Sequence, residues 1–190
     1  MAEYELRVPF SEAQARALRA GDRVYLTGVI YTARDAAHKR MFEALERGEA
    51  LPIDLAGQVL YYVGPAPAKP GQPIGSAGPT TSFRMDAYTP ALLELGLRAT
   101  IGKGPRSPEI RAAMVRHGAV YFAAVGGAAA LIAKTIKKAE VLAYEDLGTE
   151  AIRRLEVERF PVLVINDTLG NDLYEQGVAR FRSSDDGPGG

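Results

Sequence analysis

Residues 97–125 read LRATIGKGPRSPEIRAAMVRHGAVYFAAV, and this stretch decides the fold class. Its first part, LRATIG, and its last part, AVYFAAV, are short apolar runs that indicate strands. Between them, Ser107 followed by Pro108 and Glu109 forms a normal helix start, because proline is favoured at the first helical position. A strand, a helix and a second strand in succession predict an α/β fold.

The alternation of strands and helices extends to both sides of this stretch. An N-terminal strand is predicted where Tyr4, Leu6 and Val8 alternate with charged residues, and Ser11 and Gly21 can cap and end the helix that follows. Further strands are predicted over 24–33, 58–64, 140–145 and 161–167, and helices over 11–21, 34–48, 88–96 and 128–139. We predict one domain over residues 1–182 and a flexible tail over 183–190.

Residues 65–79, PAPAKPGQPIGSAGP, interrupt this pattern with five prolines and three glycines. Such a composition excludes a helix or a central strand. Two interpretations remain open: a surface connection, or a loop shaped to deliver the next segment to a site.

Composition excludes several function classes. Lys+Arg and Asp+Glu are both 23, so the formal charge is zero and gives no electrostatic reason to expect nucleic acid or an anionic membrane as a partner. Cysteine is absent, which excludes a disulfide, a thiolate nucleophile and a cysteine-held metal or iron–sulfur site in this chain. The two histidines, His38 and His117, are too few for a multi-histidine site.

No segment has the pattern of a targeting signal or a membrane span. The N-terminus, MAEYELRVPF, lacks a cationic stretch followed by an apolar one. The longest nearly uncharged run, residues 118–133, is shorter than the ~20 residues of a membrane span and contains Gly126 and Gly127. We therefore expect a cytoplasmic protein.

Candidate chemistry lies in three turns that each present a cation. In the first, Arg34 falls near a helix N-terminus, where a cation opposes the helix dipole. Arg34 could help the free amides hold an anion, or it could pair with Asp35 or with a more distant carboxylate. His38, one turn further, fits a packed or capping histidine better than a catalytic one.

The second turn, GPTTSFRMD over 78–86, offers three hydroxyls and Arg84, which could bind a carboxylate or form a simple cap. The third, IGKGPRS over 101–107, places Lys103 between glycines, either facing a ligand or as a solvated lysine in a turn. Gly126-Gly127 before a helix is a weaker candidate for anion binding. No residue stands out as a general base with a pKa near neutrality, which suggests a partial active site.

Long motifs in this order resemble a known family. The matching text is GVIYTARDAAHKRM, VLYYVGP, SAGPTTSFRMDAYTP, IGKGPRS and most of the chain from His117 onward, so the likeness extends roughly from Leu26 to Gly177. The chain resembles the β subunit, or equivalently the C-terminal domain, of class I iron–sulfur fumarate hydratases and the related L-tartrate dehydratases.

The resemblance implies a swivelling β/β/α catalytic domain that closes over a partner. In the two-subunit members, that partner is an α subunit whose three cysteines hold a 4Fe-4S cluster, and its unligated iron acts as a Lewis acid on the substrate. The absence of cysteine agrees with a β subunit, and a heterodimer or heterotetramer is implied. The leading interpretation is reversible hydration of fumarate to (S)-malate. The alternatives are conversion of tartrate to oxaloacetate and a non-catalytic dicarboxylate-binding module.

The resemblance also assigns residues. Arg34, Arg84 and Lys103 fall on family positions that bind the substrate carboxylates, and Thr80 falls on the position of the base. A free hydroxyl is too weak an acid to ionise at neutral pH, so Thr80 needs activation by its surroundings.

Four further positions, Thr81, Asp86, His38 and Arg106, lie in matching motifs but are not expected to contact substrate, although the retained Arg106 slightly favours fumarate. Pro105 stands where many members have asparagine, and the text between Arg84 and Lys103 is one residue shorter than in the single-chain enzymes. The shortening could move Lys103 slightly and affect substrate choice.

Overall fold

A computed structural model describes residues 1–124 and 129–185. The strands are β1 (Glu3–Val8), β2 (Arg23–Thr32), β3 (Val59–Tyr61), β4 (Ala99–Gly102), β5 (Val120–Ala124), β6 (Ile136–Ala143) and β7 (Ile152–Asn166). The helices are α1 (Glu12–Ala17), α2 (Asp35–Glu46), α3 (Thr89–Glu94), α4 (Pro108–His117), α5 (Ala129–Lys134) and α6 (Leu173–Asp185), with short 3₁₀ turns at Ser82–Met85 and Glu145–Glu150. The predicted α/β class is confirmed.

The sheet closes on itself. Its strand order is β1-β2-β3-β4-β5-β7-β6, and β2 also pairs with β7, so β2, β3, β4, β5 and β7 form a closed barrel. Strands β1 to β5 run parallel, whereas β7 is antiparallel to β2, β5 and β6. The carboxyl ends of the four parallel barrel strands therefore meet at one edge of the barrel, which we call the carboxyl edge.

Alternation along the strands builds two cores. Val59 and Tyr61 of β3 belong to one buried cluster, in which side chains from every barrel strand meet. Leu60 and Tyr62 point the other way, into a second cluster shared with α2, α3 and α4. Successive side chains of a strand lie on opposite faces, so the first cluster fills the barrel and the second attaches the helices to its outside.

Local helix signals explain several boundaries. Ser11 and Gln14 form a reciprocal capping box at the start of α1, although this helix ends at Ala17 rather than at Gly21. The Ser107 side chain accepts a hydrogen bond from the Ile110 amide at the start of α4, and Gly118 closes that helix in the left-handed conformation. No helix in residues 1–124 and 129–185 is long and apolar enough to cross a membrane.

The helix predicted over 128–139 is wrong in its second half. Helix α5 ends at Lys134, and β6 begins at Ile136. Ile136 is buried in the barrel cluster, and β6 pairs with β7 through contacts such as Lys138 opposite Glu156 and Glu140 opposite Arg154. Pairing with a long neighbouring strand therefore outweighs the helical preference of the alanines and lysines.

Strand β7 is twice as long as the run PVLVIND predicts, because it begins at Ile152. The segment RRLEVER is rich in charged residues, so its sequence does not predict a strand, although Leu155 and Val157 within it are buried. At the C-terminus, α6 includes residues 183–185 of the predicted tail, and 186–190 lie outside the described residues, as do Gly126 and Gly127.

Candidate active site

The carboxyl edge gathers the four residues singled out by the sequence. Arg34 follows the end of β2, and Lys103 follows the end of β4. The backbone also brings Thr80 there, since its amide donates to the Tyr62 carbonyl just after β3 at 2.6 Å. Arg84 lies four residues further on, in the 3₁₀ turn. This edge is where parallel α/β proteins usually bind their ligands.

Thr80 and Lys103 are neighbours through their backbones. The Lys103 amide donates to the Thr80 carbonyl at 3.2 Å, and the Ser82 amide donates to the Lys103 carbonyl at 2.9 Å. Thr81 and Lys103 accordingly form an isolated parallel bridge. Thr80 is half-buried and Lys103 is exposed, so a hydroxyl and an ammonium group stand on two paired segments at the rim of the barrel.

The proline-rich segment that precedes Thr80 has a defined shape. The Ala66 amide donates to the Ser76 carbonyl at 2.9 Å, which folds the segment back on itself. A Cβ on Gly75 would lie 2.3 Å from the Ala66 carbonyl oxygen, so this close approach requires glycine. The buried Tyr61 hydroxyl donates to the Ala77 carbonyl. These contacts favour the interpretation of a shaped loop over that of a loose connection.

Arg34 and Arg84 share one carboxylate. The Nε and Nη2 atoms of Arg84 donate to Asp35 Oδ1 and Oδ2 at 2.8 and 2.6 Å. Arg34 Nη2 lies 3.7 Å from Asp35 Oδ2, and Arg34 Nε lies 3.8 Å from Glu150 Oε1. The buried Arg34 Nε atom has no hydrogen-bond partner among the described residues. Arg34 therefore pairs with carboxylates and still keeps donor capacity.

Electrostatics at this edge favour ionised groups. Burial alone would raise the pKa of Asp35. The hydrogen bonds from Arg84, a backbone hydrogen bond and the charges of Arg84 and Arg34 together outweigh burial and hold that pKa below its ordinary value. The same hydrogen bonds raise the pKa of Arg84. Arg34, Arg84 and Lys103 carry three positive charges and Asp35 and Glu150 carry two negative charges, so these five side chains have one net positive charge.

Gly64 makes room for Arg34. A Cβ on this glycine would lie 2.8 Å from Arg34 Nη1 and 3.4 Å from the Thr149 carbonyl oxygen. The arginine therefore passes over bare backbone just beyond β3. Sequence reasoning missed Gly64 and Glu150, because each is joined to Arg34 only by the folding of distant segments.

Arg106 is a buried structural cation and lies away from the surface. Its Nε lies 2.7 Å from Asp86 Oδ1, and its other nitrogens donate to the hydroxyls of Tyr62 and Thr89 at 3.0 and 2.8 Å. The Ser107 amide donates to Asp86 Oδ2 at 2.9 Å. Arg106 thus links the segment after Thr80 to the segment after Lys103. Because its side chain is buried, Arg106 is not placed to contact a substrate directly.

His38 is packed into the interior. Its Nδ1 lies 2.8 Å from the Arg34 carbonyl oxygen, and its ring contacts Tyr62 edge-on with centroids 5.3 Å apart. Burial lowers the pKa of His38 to about 4, so the ring is neutral and Nδ1 carries the proton that it donates to the carbonyl. This geometry agrees with a packing role for His38 next to Arg34.

The chain's own residues do not fit an iron–sulfur cluster. Cysteine is absent from the sequence. Within residues 1–124 and 129–185, no three histidine, aspartate or glutamate side chains are grouped to hold a metal ion. Such clusters are held by cysteine thiolates, so the ligands of a cluster serving this site would have to come from outside these 190 residues.

Comparison with known proteins finds a matching family model and relatives named as fumarate hydratases. The family model "Fumarase C-terminus" matches residues 2–177. Fumarate hydratase 1, mitochondrial, from Leishmania major is 44% identical over 156 residues, which are 81% of this chain and 28% of that protein. The anaerobic class I fumarate hydratase of Escherichia coli K12 is 40% identical over 178 residues, which are 92% of this chain and 32% of that protein.

A relative of similar length has a different name. The putative L(+)-tartrate dehydratase subunit beta of Methanocaldococcus jannaschii is 40% identical over 172 residues, 87% of this chain and 88% of that protein. The chain thus spans less than a third of the two fumarate hydratases and most of the tartrate dehydratase subunit. On this match along nearly its whole described length, the chain belongs to the fumarase C-terminal family.

Proposed function

We propose that this chain is the β subunit of a two-subunit iron–sulfur hydro-lyase that interconverts fumarate and (S)-malate. Its partner is an α subunit that holds a 4Fe-4S cluster through cysteines. This chain contributes a swivelling β/β/α domain, an assignment supported by the closed barrel with helices packed on its outside. The 40% identity to a protein named as a subunit beta supports the two-subunit assembly.

One observation carries the proposal. Three cations from three separate segments, Arg34, Arg84 and Lys103, lie at the same edge of the barrel as Thr80. A dicarboxylate has two negative charges, and arginine forks bind carboxylates in a planar, two-bond geometry. Cations at one edge therefore suit a substrate with a carboxylate at each end.

The proposed work of this chain is to bind and orient the substrate. Arg34 and the Nη1 side of Arg84 hold one carboxylate, while Asp35 binds the Nε–Nη2 side of Arg84 and lies 3.7 Å from Arg34 Nη2. Lys103 holds the second carboxylate on the segment paired with Thr80. Fixing both ends of a four-carbon acid places its C3–H bond in one orientation, which is how positioning lowers a barrier.

Thr80 is the proposed proton acceptor. In the dehydration direction Thr80 first releases its own hydroxyl proton to water, and the resulting Oγ1 alkoxide takes the proton from C3 while the C2–O bond breaks. The hydroxide that leaves combines with the released proton to give water. Two backbone hydrogen bonds fix Thr80: its amide donates to the Tyr62 carbonyl, and its carbonyl accepts from the Lys103 amide. The ammonium group of Lys103 on the paired segment favours the negative charge that Thr80 has to carry before it accepts this proton.

Tartrate is a second candidate substrate. The relative from Methanocaldococcus jannaschii bears that name, and its identity of 40% equals that of the Escherichia coli fumarate hydratase. Tartrate is also a four-carbon dicarboxylate, so the same cations suit both acids. A comparison of malate with tartrate on one preparation separates the two.

The proposal is tested by reconstitution. The chain and its cluster-bearing partner are purified separately without oxygen, and each is assayed alone and in a mixture with malate and with tartrate. We expect turnover only in the mixture, and faster turnover with malate. Activity of this chain alone, or binding of dicarboxylates without turnover in any mixture, would contradict the proposal. The second result would favour a non-catalytic binding module.

A further inference from the structure

Tyr121 lies beneath the paired segments that carry Thr80 and Lys103. It belongs to β5 and is fully buried in the outer core cluster. The guanidinium carbon of Arg106 lies 5.4 Å from the centroid of its ring, which adds a cation–π contact. Burial in this cluster and the contact with Arg106 therefore restrict the ring, and with it the position of the hydroxyl.

The Tyr121 hydroxyl joins two loops. It donates to the Gly104 carbonyl at 2.8 Å and lies 2.9 Å from Ser82 Oγ. A phenol has only one proton, so with that proton given to Gly104 the Ser82 hydroxyl is the donor of the second bond. Burial raises the pKa of Tyr121, so the hydroxyl keeps its proton and this arrangement across the physiological range.

Both bonded residues are direct neighbours of the proposed site. Gly104 follows Lys103 in the sequence, and Ser82 is two residues beyond Thr80. The Ser82 amide also donates to the Lys103 carbonyl. The backbone hydrogen bonds join these two segments at the rim of the barrel. The Tyr121 hydroxyl joins the same two segments from the buried side.

We propose that Tyr121 is a positioning residue that fixes the relative placement of Thr80 and Lys103. This inference rests on the proposed function for its catalytic consequence, but its structural part stands on the described contacts alone. Tyr121 does not touch substrate. It acts by holding two loops in register, and a displacement of about 1 Å at such residues can cost about 100-fold in rate.

The test is Tyr121→Phe, with Tyr61→Phe as the matched control. Tyr61 is also buried in β3, and its hydroxyl makes one bond to the carbonyl of Ala77 in the loop that precedes Thr80. Both variants lose one buried phenol hydroxyl, but only the first loses contacts at the Thr80–Lys103 pair. Amide hydrogen exchange is followed by NMR on the full chain, and kcat and KM are measured on the two-subunit complex.

We expect Tyr121→Phe to speed exchange of the Ser82 and Lys103 amides at least about tenfold, while amides of the barrel strands such as Phe122 keep wild-type rates. In the complex it should lower kcat/KM at least about tenfold. Tyr61→Phe should leave exchange of the Ser82 and Lys103 amides unchanged.

Each outcome bears on the proposal separately. Unchanged exchange at Ser82 and Lys103, or equal acceleration throughout the barrel, would overturn the positioning role. Faster local exchange with wild-type kcat/KM in an active complex would overturn its catalytic consequence. An inactive wild-type complex would refute the proposed function instead, and the exchange result would still decide whether Tyr121 holds the two loops.

Discussion

Gly102→Ala is expected to disturb the Thr80–Lys103 pair with a single methyl group. A Cβ on Gly102 would lie 1.9 Å from Ser82 Oγ and 3.0 Å from Tyr62 Cδ2. The Ser82 hydroxyl therefore has to leave its position, which breaks its bond to Tyr121. Overpacking of this kind costs about 1–3 kcal/mol and the lost hydrogen bond about 1 kcal/mol, so we expect unfolding free energy to fall by about 2–4 kcal/mol.

A double variant isolates the cause. Ser82→Ala removes the atom at 1.9 Å, after which the nearest contacts of the new Cβ are Tyr62 Cδ2 at 3.0 Å and the Cβ of residue 82 at 3.2 Å. We expect the loss in Gly102→Ala/Ser82→Ala to be smaller than the two single losses together by at least about 1 kcal/mol, since the two positions are in contact.

The assay is urea unfolding of the full chain, followed by circular dichroism and extrapolated to water. Gly177→Ala is the matched control: it lies in α6, and no other described residue has an atom within 4 Å of the new Cβ, apart from the helix's own nearby backbone and chain neighbours. This control should gain up to about 1 kcal/mol from helix propensity. A Gly102→Ala chain as stable as wild type, or losses that add without coupling, would refute the close packing inferred at Ser82.

Three further outcomes test the buried groups around the site. Arg106→Met leaves the Asp86 carboxylate without its buried partner and should cost about 3–5 kcal/mol in urea unfolding, whereas a loss under about 1 kcal/mol would show that Arg106 is not structural. Burial lowers the pKa of His38 from 6.5 to about 4, so between these pH values the unfolded chain binds a proton at His38 and the folded chain does not. The free energy of unfolding should therefore fall by up to about 3 kcal/mol as the pH drops from 6.5 to 4. His38→Gln should lose this slope, and an unchanged slope would contradict it. Asp35→Asn should cost under about 1 kcal/mol at pH 7, because both partners are partly exposed, and the difference from wild type should vanish as the pH falls through the lowered pKa of Asp35, below 3.8; a difference that persists there would contradict its assignment to the ion pair.

The order of helices and strands is largely readable from the sequence because local signals agree with the fold. Ser107, Pro108 and Gly118 mark both ends of α4, and they do so through bonds made within the helix itself. The second half of the 128–139 prediction fails for the opposite reason. Ile136 to Ala143 become a strand only because β7 offers a partner, and that partner comes later in the chain.

The closure of the barrel was beyond sequence reasoning. Closure depends on the pairing of β7 with both β2 and β5, which requires a long antiparallel strand. The first half of β7 is rich in charged residues, so its sequence does not have the pattern of a buried strand. Arg159 adopts a left-handed conformation at φ 50° inside this strand, and no local pattern announces it.

The candidate site was found in part. Arg34, Arg84 and Lys103 became candidates because each is a cation in a turn that follows a strand end or contains glycine, whereas Thr80 was assigned through the family resemblance. What could not be read is how they are held. Asp35 pairs with Arg34 beside it and with Arg84, which is 49 residues away in the sequence. Tyr121 belongs to an apolar run that predicts a strand but gives no sign of the bond its hydroxyl makes to Gly104.

The most direct test of the account is kcat/KM for malate in the two-subunit complex carrying Arg84→Ala. Its control is Arg47→Ala, which removes a similar two-bond pair with Glu49 beyond the other end of α2. We expect Arg84→Ala to lower kcat/KM at least about 100-fold with assembly intact, and Arg47→Ala to match wild type. Near-normal turnover of the Arg84→Ala complex would contradict the claim that this edge of the barrel binds the substrate carboxylates.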